Sequence, residues 1–132
     1  MSPMGSPGPA TIYVCVTCRP AAEPKDEPCP GVALAEATAA AADAAIPAVT
    51  VRRVRCLGNC SRGPSAAIRG EQTWSYVFGG LDPSQDGPSL VTGAHLLSAS
   101  VDGIMPWRGR PDCLKRGLVA RIPPLQFVEE AP

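Results

Sequence analysis

Val49-Thr50-Val51-Arg52-Arg53-Val54-Arg55 runs directly into Cys56-Leu57-Gly58-Asn59-Cys60, and the architecture of the chain follows from that junction. Val49, Thr50, Val51 and Val54 are β-branched and predict a strand, although its alternation breaks near Arg53. The strand delivers one thiol at its C-terminal end, and a second follows after three intervening residues. Two thiols so spaced can converge on one ion or inorganic cluster. Gly58 tolerates the positive φ that a tight thiolate-bearing loop needs, and Gly63-Pro64 stop any helix and redirect the chain.

Upstream the same arrangement recurs. Thr11-Ile12-Tyr13-Val14-Cys15 is short, nearly uncharged and rich in β-branched and aromatic residues, and it carries Cys15 into Cys15-Val16-Thr17-Cys18. Between the two strands, residues 31–45 form an alanine-dominated segment that predicts a helix by propensity. Pro30 suits its first position and Pro47 ends it. Strand, helix, strand is a βαβ unit, so the two strands should be parallel neighbours. A right-handed crossover then puts both C-terminal ends, and both cysteine pairs, on one edge of the sheet.

Ser65-Ala66-Ala67-Ile68-Arg69 and Thr73-Trp74-Ser75-Tyr76-Val77-Phe78 flank the Gly70-Glu71-Gln72 turn and predict a hairpin. Trp74, Tyr76 and Phe78 alternate onto one face, where a core is expected rather than a base-stacking platform, because no basic face surrounds them. Residues 88–101 predict a second helix with Leu90, Ala94, Leu97 and Val101 on one stripe. His95 lies beside that stripe with no second ligand type in view, which marks it as a satisfied or solvent-facing histidine. Residues 1–10 read as a disordered tail. Residues 11–103 form one α/β domain with a mixed four-stranded sheet, and the proline- and arginine-rich residues 104–132 an arm laid on it.

With 132 residues the chain supports a single core, and its formal net charge of zero gives neither a nucleic-acid footprint nor a membrane-surface patch. No apolar run approaches the roughly 18 residues of a membrane span. Residues 1–10 lack the basic start and apolar stretch of a secretory signal, so a cytoplasmic, reducing compartment is expected. There, paired cysteines bind metal or do redox chemistry more often than they form disulfides. Of the six cysteines, Cys29 and Cys113 lie outside the pairs and are expected to be small buried hydrophobes. Three chemistries suit the paired ones: a [2Fe–2S] cluster, a four-thiolate zinc site and a dithiol redox site. The dithiol reading leaves the second pair unexplained, and the chain has too much core to need a zinc staple. With one histidine, no nucleophile–base pair and no phosphate-cradling loop, the chain is not expected to be an enzyme.

Val14-Cys15-Val16-Thr17-Cys18-Arg19, residues 56–63, Trp74-Ser75-Tyr76-Val77-Phe78-Gly79-Gly80-Leu81-Asp82-Pro83 and Gly103-Ile104-Met105-Pro106-Trp107-Arg108 together resemble the domain-of-unknown-function family 1636, predicted metal-binding proteins, over roughly residues 11–125. Those proteins are in turn similar to thioredoxin-like [2Fe–2S] ferredoxins. The resemblance implies a thioredoxin-like βαββα fold, with Cys15, Cys18, Cys56 and Cys60 as ligands of a [2Fe–2S] cluster. Such ferredoxins space their first cysteines more widely than C-x2-C, so Cys29 is the alternative to Cys18. Pair spacing favours Cys18. The function so implied is a carrier of single electrons to or from a partner enzyme, in tetrapyrrole, cobalamin or metal metabolism. The alternative is a Zn2+-binding or metal-delivery module. Arg19, Arg55 and Arg62 flank the cysteines and would tune the potential or dock an acidic redox partner. A homodimer is compatible with the sequence.

Overall fold

The computed structural model describes residues 9–17, 29–58, 63–125 and 127–129. Most of the expected tail, together with Cys18, Arg19, Cys60 and Arg62, lies outside them. The element order is β1 (Thr11–Cys15), α1 (Pro30–Ala44), β2 (Thr50–Val54), β3 (Ala66–Arg69), β4 (Ser75–Phe78), α2 (Gly87–Ser98), α3 (Cys113–Arg116) and β5 (Leu118–Ile122).

One mixed sheet has the order β2-β1-β3-β4-β5. β1 and β2 are parallel, with Cys15 opposite Val54, and every other pairing is antiparallel. The βαβ unit and the hairpin therefore fall where the sequence puts them. β2 is an edge strand, which explains its broken alternation: Arg52 and Arg53 are both exposed, and charged side chains are tolerated on an edge, where they also discourage pairing with another chain.

The sheet has five strands where the sequence predicted four. The additional strand, β5, comes from residues read as an extended arm. Leu118-Val119-Ala120-Arg121-Ile122 has the apolar and β-branched content of a strand, but the flanking Pro111, Pro123 and Pro124 and the neighbouring arginines disguise it. β5 pairs with β4, with a bulge between Val77 and Phe78.

The core lies between one face of the sheet and the pair α1 and α2. Ile12, Val14, Ala66, Ile68, Tyr76 and Phe78 face Leu34, Leu90, Ala94 and Leu97, and Met105 and Leu114 complete the layer. Alanine-rich α1 lets α2 approach closely: a Cβ on Gly87 would lie 2.9 Å from the backbone of Ala37 and Thr38. Buried Thr38 is satisfied by donating to Leu34 O at 2.6 Å. α2 ends at Ser98, three residues earlier than expected, and Val101 beyond it is 86% exposed. Around that end Ser98 Oγ donates to Ala94 O and Ser100 Oγ to Leu97 O, hydroxyl bonds that compete with continued helix. The same Ser98 Oγ accepts the N–H of Ala10, fastening the chain just before β1. Among the described residues no helix is long and apolar enough to cross a membrane.

Candidate metal centre

Everything that positions Cys15 and Cys56 follows from the parallel β1–β2 pair. Cys15 is the last residue of β1 and is fully buried. Its N–H donates to Ser65 O at 3.0 Å, and the Val16 N–H donates to Val54 O at 2.9 Å. The Cys15 thiol lies 3.5 Å from Arg55 O, which also accepts the Thr17 hydroxyl. The carbonyls of Val54 and Arg55, just before Cys56, and of Ser65, at the return into β3, are thus all fastened to residues 15–17. Arg55 and Ser65, which bracket residues 56–64 in sequence, are thus both bonded to the end of β1.

Cys56 lies two residues beyond β2 and is exposed. The Gly58 N–H donates to Cys56 Sγ at 3.2 Å, a geometry that needs φ +74° at Gly58. Glycine adopts that conformation without the Cβ penalty.

Cys29 is not the small buried hydrophobe expected from sequence. It is the N-cap residue of α1, half-buried and in extended conformation, with Pro30 at the first helical position. The first turn of α1 rests on the end of β1: a Cβ on Gly31 would stand 2.0 Å from Cys15 O and 3.2 Å from Val16 Cα. Cys29 is thereby held two residues from a backbone contact with Cys15. Pro30 at a helix start, following a strand that ends in cysteine, was the signal in the sequence.

Cys113 is elsewhere, at the start of α3, half-buried beside Ser89 and Asp86. Desolvation by burial pushes its thiol up to about 11, against a partial opposing effect of the Ser89 hydroxyl. A thiol so placed is inert at neutral pH. His95 is a satisfied histidine: its Nε2 lies 2.8 Å from Pro47 O. Tyr76 and Phe78 are buried and stacked, 6.2 Å apart, while Trp74 meets Phe127 edge-on at 5.8 Å.

Of the cysteines expected to be ligands, the described residues bring Cys15 and Cys56 to adjacent strand ends, with Cys29 on the same side; Cys18 and Cys60 lie outside the description. Among the described residues no group of three or more His, Cys, Asp or Glu side chains is gathered as a metal site. The side-chain donors that the described residues bring to this edge are cysteine sulfurs, a donor type that iron–sulfur clusters and structural zinc sites share. Arg52, Arg53 and Arg55 are exposed around it.

A search of curated proteins found no match. Among solved structures, the chain is similar to a thioredoxin-like [2Fe–2S] ferredoxin from Aquifex aeolicus, with TM-score 0.56 and 16% identity over 91% of this chain and 99% of that one. A variant of that ferredoxin with one cysteine replaced by serine matches with TM-score 0.51 and 16% identity, over 84% of this chain and 98% of the other. These likenesses establish a thioredoxin-like ferredoxin fold. The sequence profile described as "Protein of unknown function (DUF1636)" matches residues 12–124, nearly the whole folded part, and the chain belongs to that family.

Proposed function

We propose that the protein carries single electrons on a [2Fe–2S] cluster held at the β1–β2 edge. The observation that carries this reading is the placement of Cys15 and Cys56 at the C-terminal ends of adjacent parallel strands, in a fold shared with a [2Fe–2S] ferredoxin. Cys15, Cys56 and Cys60 would be three of the ligands. For the fourth, the contact of Gly31 with the Cys15 carbonyl supports Cys29, against the preference for Cys18 drawn from pair spacing. When bound, the cluster would supply one-electron chemistry. The chain supplies thiolates, the Gly58 N–H and a basic surround.

The partner would be an acidic redox protein, in tetrapyrrole, cobalamin or metal metabolism, that docks over Arg55 and its neighbours. Arg19 and Arg62 belong to the same basic surround in sequence. Arginine keeps its charge at every working pH and favours the more negative, reduced site, so Arg55→Gln should lower the midpoint potential by tens of millivolts, about 1 kcal/mol. Transfer to the partner should slow as salt rises.

Elemental analysis of protein purified without oxygen tests the cofactor. Iron and acid-labile sulfide should each be about two per chain, with visible charge-transfer absorption. Colourless protein holding about one zinc per chain would establish the metal-delivery alternative instead. Cys29→Ala and Cys18→Ala then decide the fourth ligand, since the ligand variant loses iron and the other retains it.

A further inference from the structure

Arg110 is a buried cation with no carboxylate partner among the described residues. Only 8% of it is exposed, and its Nε and Nη2 donate to the carbonyls of Pro106 and Met105. With the further hydrogen bond to the Tyr76 hydroxyl, these contacts leave part of the five-donor capacity of a guanidinium unused. Burial draws its pKa down from the ordinary value, yet an arginine remains charged. Among the described residues the only ion pair is Arg116 with Asp112, so neither Arg110 nor its neighbours Lys115 and Arg121 has a carboxylate partner.

Arg110 forms part of the wall of a pocket of about 350 Å3, bounded by Tyr76, Ile104, Met105, Pro106, Trp107, Leu118 and Arg121. Among the described residues no acidic side chain contributes to that wall. The guanidinium stands 5.6 Å from the Tyr76 ring centroid and 5.2 Å from that of Trp107, and Lys115 Nζ lies 5.0 Å from Trp107. Trp107 is 61% exposed, an uncommon state for so large an apolar ring. Apolar and aromatic walls with a few convergent polar groups, in a volume of this order, are the character of small-molecule sites. A buried charge is normally paired with an opposite charge, and among the described residues Arg110 is held only by carbonyls, the Tyr76 hydroxyl and ring faces.

We propose that this pocket binds a small carboxylate with a flat apolar body, such as an aryl carboxylate. The carboxylate meets Arg110 N–H groups that Met105, Pro106 and Tyr76 do not engage, in a charge-assisted hydrogen bond. The ring packs against Trp107, Pro106 and Met105, while Arg121 and Lys115 add long-range attraction. β4 and β5 stand two or more strands away from the β1–β2 edge, so the site is independent of the cluster reading.

Calorimetric titration of the full chain with benzoate, and separately with its uncharged isostere benzamide, tests the pocket. Benzoate should bind saturably and benzamide ~10-fold more weakly, the difference of one charge-assisted hydrogen bond. Arg121→Gln and Lys115→Gln, exposed or half-exposed positions that leave the fold intact, should each weaken benzoate several-fold without changing the response to benzamide. Arg110→Lys, which retains charge but not the guanidinium, should weaken it further. Equal binding of the two probes overturns the proposal, as does benzoate binding indifferent to all three substitutions, or no saturable benzoate binding. Binding of a glutamate-rich peptide where benzoate fails would give the surface to an acidic protein instead.

Discussion

Cys56 and Cys113 are the same residue in opposite environments. Cys56 sits on an exposed loop beyond an edge strand, receives a backbone N–H from Gly58 and has exposed arginines around it. Cys113 is half-buried at the start of α3, where desolvation raises its thiol to about 11. Sulfur is open to a ligand in one place and closed off in the other. The contrast teaches that burial and neighbouring groups, more than residue type, decide which thiol can be reached.

The largest effect should come from breaking the exposed side of this comparison. Cys56→Ala and Cys15→Ala should each take bound iron from about two per chain to near none, measured as iron and labile sulfide after anaerobic purification. Cys113→Ala should leave both unchanged. Equal losses in Cys56→Ala and Cys113→Ala would erase the distinction.

Next in size is Gly31→Ala, which asks whether α1 truly rests on the end of β1. The added methyl would meet the Cys15 carbonyl oxygen at 2.0 Å. That neighbour is backbone in a central sheet pairing and cannot swing aside, so about 3 kcal/mol of stability should be lost, read from the midpoint of denaturant unfolding. A shift below about 0.5 kcal/mol, the usual range of an unremarkable surface change, would mean that α1 and Cys29 stand away from Cys15.

Much of this was legible in the sequence, and the failures have physical causes. β1, α1 and β2 announce themselves by β-branched runs on either side of an alanine-rich segment, and the βαβ rule then joins the strand ends that carry Cys15 and Cys56. The position of Cys29 was harder to read because a helix N-cap is defined by backbone conformation, and cysteine is not a customary capping residue. β5 was hidden because prolines on both sides argue against a sheet, whereas here they stand at the ends of an edge strand, where a missing N–H does no harm. Buried Arg110 was misleading for a similar reason: an arginine between Gly109 and Pro111 reads as surface, and only the carbonyls of Met105 and Pro106 draw it in.

On the β4 side, Tyr76→Phe should have an intermediate effect. The Tyr76 hydroxyl accepts the buried N–H of Met105 at 2.9 Å. Its removal leaves that donor unsatisfied, at a cost of about 2 kcal/mol. Iron content should be untouched, so a stability loss with full iron would separate the two sides of the sheet.

The last effect appears only at alkaline pH and is the most direct test of the Cys113 environment. Its folded-state value of about 11 lies above the ordinary 9.0. Below the ordinary value the thiol is protonated in the folded and the unfolded chain alike, and burial carries no charge penalty. As pH rises through the interval from 9.0 to about 11, the unfolded chain loses the proton while the folded chain keeps it. The unfolded state then binds fewer protons, so stability falls with pH across that window. Cys113→Ala removes this titration together with a packing contribution that does not vary with pH; tyrosines, lysines and the other thiols titrate in both proteins and cancel in the comparison. The difference in unfolding midpoint between the wild-type chain and Cys113→Ala should therefore be constant below that window and shift in favour of the variant within it. A difference that stays flat throughout would mean that the Cys113 thiol ionises as readily in the fold as in water, and the contrast with Cys56 would rest on position alone.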